Sequence, residues 1–307
     1  MLQSIIASIL KAAIRAGTPL LYGTLGEVYA ERSGILNLGV EGMMILGAVT
    51  GFAVTRITGN PWLGIAAAAV VGGLSSLIHA VLSITLMANQ VVSGLALTMF
   101  GLGLSGLIGK PYIGVKIPSI SDVKIPLLCE IPIIGPAFFN QDPLVYISYI
   151  LVPVLWFVLF KTSLGIKIRS VGESPETADA LGVNVSLIRY GCTFFGGVMA
   201  GIAGAYLSVV YTPAWIERMT AGRGWIVIAL TIFAMWDPLR SAIGSYLFGG
   251  VDALQYHLQP YGISPSLLGM LPFILTIVVL VFGAEETIRK KMGAPAALGV
   301  PYKRGEK

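Results

Sequence analysis

Residues 62–86 read WLGIAAAAVVGGLSSLIHAVLSITL, a run without a single Asp, Glu, Lys or Arg. A helix that crosses a membrane needs about 20 consecutive, mostly apolar residues, and this run supplies them. The rest of the 307-residue chain is similar: 55% of its residues are hydrophobic and only 11% are charged, against about 25% charged in an average soluble domain. The composition excludes a soluble globular protein. Because lipid offers the backbone no hydrogen-bond partners, we predict an all-α polytopic membrane protein.

Further apolar stretches flank this run on both sides. Together they predict about nine transmembrane helices, within a range of about 8–10, at residues 5–29, 34–55, 62–86, 90–109, 144–160, 190–210, 224–236, 239–257 and 266–283. The range reflects the segment from Trp225 to Trp236, which is short for a span. No clean internal repeat is visible, so we expect a single transmembrane domain over residues 1–307.

Two polar loops and a basic tail predict the orientation. Residues 110–143 form a proline-rich loop, whereas residues 161–189 and the tail 284–307 carry many Lys and Arg side chains. With nine spans, the second loop and the tail share one side, which is cytoplasmic by the positive-inside rule. We therefore expect the N-terminus and loop 110–143 outside, and the C-terminus inside. Lys11 and Arg15 interrupt the first apolar run, which favours a mature helix over a cleaved signal peptide. Either this helix turns the two charges toward a neighbour or water, or it is partly interfacial.

Residues 26–44 break the apolar pattern with several ionisable or amide side chains flanked by glycines. Such a stretch predicts a broken or re-entrant helix pair buried in protein. Glu31 and Arg32 would form the cytoplasmic turn, with Glu27, Asn37 and Glu41 deeper. Two interpretations stay open: Asn37 and Glu41 cap the next helix and tie it to its neighbours, or they line a translocation path.

Three other polar residues at membrane depth are candidates for the same path. Asn89 and Gln90 begin the fourth span, where a helix cap is the alternative role. Asp252 lies in the eighth span and needs a hydrogen-bond donor, for which Gln255 and Tyr256 are close in sequence.

The cytoplasmic loop contains the stretch GESPETADALGVN at residues 172–184. Ser174 can cap a helix, Pro175 suits its first turn, and Gly182 suits its end. Glu176 lies in the first turn, where the positive end of the helix dipole favours an acidic side chain. So short a helix is unstable alone. It is therefore either a surface helix or an element that docks onto a partner.

Motifs of catalysis are missing from this sequence. It contains no phosphate-binding loop and no nucleophile elbow, and neither histidine nor cysteine occurs at metal-ligand spacing. We expect no enzyme activity, no cofactor and no metal site on this chain. ATP, if used, would be hydrolysed with Mg²⁺ on a separate subunit.

The stretches at residues 18–44 and 172–182 resemble the permease subunits of bacterial ABC importers related to the ribose and branched-chain amino acid permeases. The early signature comprises Thr18-Pro19-Leu20, Gly26-Glu27, Glu31-Arg32-Ser33-Gly34 and the run from Asn37 to Met44. This pattern is closest to the nucleoside, or simple-sugar, branch. Residues 222–226 and 236–238 also look like family features.

In that family the cytoplasmic helix fits a groove of the ATPase. The resemblance thus implies coupling roles for Gly172, Glu173, Ser174, Pro175, Glu176, Ala178, Ala180, Leu181 and Gly182. It also implies a second, non-identical permease, an ATPase, an external binding lipoprotein or periplasmic protein, and a location in the bacterial cytoplasmic membrane. Nucleosides are the expected substrate, with riboflavin and simple sugars as alternatives. The competing class is an ion-coupled secondary transporter using Glu27, Glu41 and Asp252.

Overall fold

The computed structural model describes residues 2–259, 264–283 and 293–303. In the described residues the helices are α1 (Leu2–Arg32), α2 (Val40–Thr58), α3 (Pro61–Ala80), α4 (Gln90–Gly109), α5 (Ile134–Phe138), α6 (Pro143–Lys161), α7 (Ser163–Glu173), α8 (Pro175–Ala180), α9 (Val185–Ala205), α10 (Arg223–Phe233), α11 (Pro238–Leu258), α12 (Pro265–Gly269) and α13 (Leu271–Gly283). Wider π turns at Val81–Thr85 and Tyr206–Tyr211 extend α3 and α9. The fold is therefore all-α, as predicted.

A helix lies at each predicted apolar stretch. Five of the described helical segments are long and apolar enough to cross a membrane: Val40–Thr58, Pro61–Thr85, Gln90–Tyr112, Pro143–Lys161 and Val185–Tyr211. The first helix is longer than the predicted 5–29, since it runs on to Arg32. The predicted short span is indeed short, at 11 residues in α10.

Three long helices begin with the same local device, an Asn or Asp followed by proline. The side chains of Asn60, Asp142 and Asp237 accept hydrogen bonds from free backbone N–H groups in the first turns of α3, α6 and α11. Proline suits the first helical position because its missing N–H would have no partner there. These dipeptides fix where each helix starts.

Two antiparallel helix pairs form the framework. Helix α1 packs along α11, and α9 packs along α3. In each pair, small residues four positions apart let the backbones approach: Ala13 and Gly17 face Ser245 and Gly249, and Ala68 and Gly72 face Gly197 and Gly201. A Cβ at Gly17 would lie 2.5 Å from the carbonyl oxygen of Ser245. Close van der Waals packing of this kind replaces the hydrophobic effect between helices in lipid.

The two pairs reveal an inverted relation between the halves of the chain. In the two groups α1–α3 and α9–α11, the first helix of each group, α1 or α9, packs on the third helix of the other group, α11 or α3. If α1 runs inward, α9 runs outward.

Loop 110–143 is folded. Strand β1 (Val123–Lys124) pairs antiparallel with β2 (Asn140–Gln141), and α5 lies between them. Asp122 in this loop binds Lys11 at 2.8 Å and lies 3.5 Å from Arg15. The two charges in the first apolar run thus face a neighbouring loop, one of the two outcomes expected for them.

Candidate translocation and coupling sites

Residues 33–39 separate α1 from α2; five of these seven residues are buried and Leu36 and Leu38 are half-buried. Their backbone groups are satisfied by side chains from elsewhere: Glu27 accepts from the N–H of Asn37 at 3.2 Å, and Gln90 accepts from the N–H of Leu36 at 2.7 Å. The ring of His79 lies 3.1 Å from the Leu36 carbonyl oxygen. This is the predicted break, with irregular backbone enclosed in protein.

Asn37 and Asn89 differ in their capping roles. The prediction that Asn37 caps the next helix is wrong, because α2 starts at Val40 and the Asn37 side chain accepts instead from the N–H of Gly39, inside the preceding turn. Asn89 does cap its helix, accepting from the N–H of Val92 at 3.1 Å. Asn37 does not cap α2 because the buried turn that precedes this helix continues beyond it to Gly39.

The carboxylate of Glu41 faces the N-terminus of α10. It accepts from the hydroxyl of Thr220 at 2.6 Å and from the N–H groups of Gly222 at 2.9 Å and Gly224 at 2.6 Å. Only 4% of Glu41 is exposed. The first turn of a helix has free N–H groups and a positive dipole end, which favour an anion. Glu41 thereby joins the start of α2 to the start of α10.

Asp252 on α11 pairs with Arg223 on α10, with 3.1 Å between the guanidinium nitrogen and the carboxylate oxygen. Arg223 is thus a donor that proximity in sequence did not indicate, and the side chain of Tyr256, one of the two expected donors, lies outside the described residues. Because α10 lies beside α11, Arg223 reaches Asp252 although the two residues are 29 positions apart in sequence. The pair borders a cavity of about 260 Å³, which Gln255 and Phe273 also line.

Two buried tryptophans were missed as site residues. Trp215 and Trp236 are only 2% and 3% exposed. The indole N–H of Trp236 donates to the buried carboxylate of Glu31, and Arg32 donates to the Trp236 carbonyl at 3.2 Å. Only the family-like run at 236–238 hinted at a special role.

Within the predicted cytoplasmic loop, residues 161–189, lie two short helices, α7 and α8. Ser174 caps α8 by accepting from the N–H of Thr177, Pro175 opens it, and Gly182 follows in the left-handed conformation at φ +82°. The predicted helix is confirmed in place, although its regular part covers only Pro175–Ala180.

Exposure divides the predicted coupling residues into two groups. Gly172 and Ala178 are buried, and Ala178 packs against Val171 and Val185. Ala178 thus supports α8 from inside, whereas Gly172 packs against the backbone of Arg32 and Gly34; burial leaves neither residue free to contact a partner. Exposed or half-buried are Glu173, Ser174, Pro175, Glu176, Ala180, Leu181 and Gly182. Of these, Leu181 is 79% exposed.

The described part of the tail, residues 293–303, lies against this loop. The N–H of Ala297 donates to the carbonyl of Gly172 at 2.9 Å, and the N–H of Gly299 donates to that of Gly34 at 3.1 Å. Arg189 donates to the carbonyls of Ser33 and Val300 at 3.2 Å each. The basic residues 284–292 and 304–307 of the predicted tail lie outside the described residues.

In the described part of the chain, no three His, Cys, Asp or Glu side chains come together as a metal site. Cys129 and Cys192 are free thiols. The polar groups that meet at depth instead bind one another across helix breaks, an arrangement suited to positioning backbone ends within a membrane.

Comparison with known proteins adds a family. Residues 9–280 match the model described as branched-chain amino acid transport system / permease component. The chain is 39% identical to a putative glucose ABC transporter permease protein of Haloferax volcanii, over 98% of this chain and 99% of that protein. It is 36% identical to a guanosine ABC transporter permease protein of Bacillus subtilis (99% and 98%) and 35% identical to a nucleoside ABC transporter permease protein of Lactococcus lactis (98% and 97%). No solved structure matches the chain.

Proposed function

The chain belongs to the permease family of branched-chain amino acid transport systems and is an integral membrane permease component of an ABC transporter, and from this premise we propose that it imports nucleosides. The observation that carries the proposal is full-length identity of 35–36% to permeases named for guanosine and nucleosides. A simple sugar is the second candidate, because the relative at 39% identity is named as a putative glucose permease.

We propose a heteromeric assembly. A second guanosine permease protein of Bacillus subtilis is 22% identical to this chain, which supports pairing of two different permeases. An ATPase would hydrolyse ATP with Mg²⁺ on the cytoplasmic side, and an external binding protein would deliver the substrate. The orientation follows from the basic second loop and tail, with about nine spans, the N-terminus outside and the C-terminus inside.

Coupling would use the exposed face of α8. ATP binding closes the ATPase dimer and displaces α8, and the cavity changes the side to which it opens. Such a displacement shifts transport only if α8 makes different contacts in the two states. The buried cluster beneath α8 makes it a rigid attachment, so its movement passes to α7 and α9.

The translocation path would run beside the helix breaks that Glu27, Asn37, Glu41 and Gln90 hold. Asn89 caps α4 at the inner end, and the Arg223–Asp252 pair borders the cavity between α10 and α11. These hydrogen bonds also weigh against an ion-coupled carrier. Glu41 accepts three hydrogen bonds and Asp252 pairs with the guanidinium group of Arg223. A transported ion would need to displace these protein partners.

Affinity purification of the tagged chain in mild detergent tests the proposal. We expect an ATPase and a second permease to co-purify with the chain. ATP hydrolysis by the purified complex is then measured with the binding protein and each of a panel of nucleosides, riboflavin and sugars, and we expect one liganded binding protein to stimulate it. Solute movement by the lone chain in proteoliposomes under an ion gradient would contradict it.

Substitution on α8 tests the coupling role. Ala180→Arg places a large charged side chain on the exposed face of α8. We expect this variant to be recognised by the binding protein as before, but to transport less substrate for each ATP hydrolysed. A normal amount of substrate transported per ATP by this variant would contradict the coupling role of α8.

A further inference from the structure

The C-terminal segment 293–303 contributes to the same cytoplasmic face as α8. Tyr302 packs against the apolar cluster formed by Val171, Ala178 and Val185, the cluster on which α8 rests. The end of α8, the start of α9 and a residue near the C-terminus therefore form one surface, although they are far apart in sequence.

A groove of about 360 Å³ lies at this junction. Its lining comes from the end of α8 and the following turn, from the first residues of α9, and from Tyr302, namely Asp179, Gly182, Val183, Asn184, Val185, Ser186 and Tyr302. Two residues close in sequence to lining residues carry exposed apolar side chains: Leu181, next to Gly182, is 79% exposed, and Val300, two residues before Tyr302, is 51% exposed. A polar groove beside exposed apolar residues is typical of a protein interface.

The segment is held firmly from below. Backbone hydrogen bonds connect it to Gly172 at the end of α7 and to Gly34 in the turn between α1 and α2, and buried Arg189 binds Val300. Arg32 also donates to the Gly293 carbonyl at 3.1 Å. Residues 293–303 are thus packed on the cytoplasmic loops as part of the folded unit.

We propose that residues 293–303 form part of the surface on which the ATPase docks, with Tyr302 as one wall of the groove that receives it. The occupant follows from continuity: the groove begins where the exposed face of α8 ends, so a protein covering Ala180 and Leu181 also reaches Tyr302. This inference rests on the proposed function. It adds a second, separate chain segment to the coupling surface and connects that surface to the buried turn at Gly34.

Site-specific photo-crosslinking tests the contact directly. A photoreactive phenylalanine analogue replaces Tyr302 in the full complex purified with its ATPase, and a second variant carries it at Leu181. Tyr112, another half-buried tyrosine, lies in the predicted external loop and provides the matched control. We expect light-dependent adducts with the ATPase from positions 302 and 181 and none from position 112.

The outcomes separate the two proposals. An adduct from position 181 without one from position 302 would overturn the present inference and leave α8 as the docking element. No ATPase adduct from either position, or no ATPase in the purified complex, would overturn the proposed coupling function itself.

A functional comparison uses conservative variants. Tyr302→Ala should lower the amount of ATPase retained on the purified permease several-fold, whereas Tyr302→Phe keeps the ring and should retain it. Tyr112→Ala makes the same change at a half-buried tyrosine of the predicted external loop and serves as the control. Equal ATPase retention by Tyr302→Ala and Tyr112→Ala, with both proteins monodisperse, would also overturn the inference.

Discussion

Glu41 offers the sharpest test of how the two helix starts are held together. Its carboxylate accepts hydrogen bonds from Thr220, Gly222 and Gly224 and is buried. In Glu41→Gln, one oxygen becomes an amide NH₂ group. That group cannot accept from the N–H of Gly224, which is then left buried without a partner.

The magnitude follows from these contacts. A hydrogen bond to a charged group contributes about 1.5–3 kcal/mol, and an unsatisfied buried N–H costs about 1–3 kcal/mol. Because the amide oxygen still serves Thr220 and Gly222, we expect Glu41→Gln to lower the free energy of unfolding by about 2–4 kcal/mol. Thr220→Val removes a single donor and should cost about 1–2 kcal/mol.

The assay is reversible unfolding in mixed micelles by SDS titration, followed by tryptophan fluorescence. Thr231→Val is the matched control, since Thr231 is also a buried threonine, but its hydroxyl donates only to the Val227 carbonyl within α10. Its cost should stay below about 1 kcal/mol. In the Glu41→Gln/Thr220→Val double variant, the losses should be non-additive by about 0.5–3 kcal/mol.

Two results would refute the reasoning. One is a free energy of unfolding for Glu41→Gln that lies within about 0.5 kcal/mol of that of the native chain, which is the usual effect of a surface substitution. The other is a loss for Thr231→Val as large as that for Thr220→Val. Either would mean that the carboxylate does not hold α2 to α10.

Three further predictions concern other contacts. Gly201→Ala should destabilise the chain by about 1–3 kcal/mol by forcing α9 from α3, whereas Gly191→Ala on the same helix meets open space and should be tolerated; thermal unfolding in detergent compares them. Asp122→Asn should cost about 0.2–1 kcal/mol at low salt, and the difference should shrink in 1 M NaCl, as for partly exposed ion pairs; a persistent difference would indicate another role. Trp236→Phe removes the donor to a buried carboxylate and should cost about 1–3 kcal/mol, measurably more than Trp225→Phe, whose ring is 38% exposed.

Local chemistry made much of the fold predictable. The start of α8 at Pro175 and the cap by Asn89 require only residues within a few positions, so their sequence patterns were sufficient. The apolar runs likewise located the helices, because burial in lipid depends on composition over about 20 residues.

Contacts between residues far apart in sequence could not be predicted in this way. The donor to Asp252 is Arg223, and the donors to Glu41 lie near residue 222; neither pairing follows from sequence spacing. Asn37 was assigned to the wrong turn, since the start of α2 depends on a buried break that Glu27 and Gln90 stabilise from other helices.

The sequence alone therefore determined that most of the chain lies in lipid, that it is helical, where its helices lie and that a capped helix begins at Pro175, since each depends on composition or on neighbours along the chain. Only the tertiary structure decided which polar groups meet at depth, how small residues pair α1 with α11 and α9 with α3, and that residues 293–303 join the surface around α8. These features depend on contacts between segments far apart in sequence, and the identity of such partners is fixed by the packing of the helices.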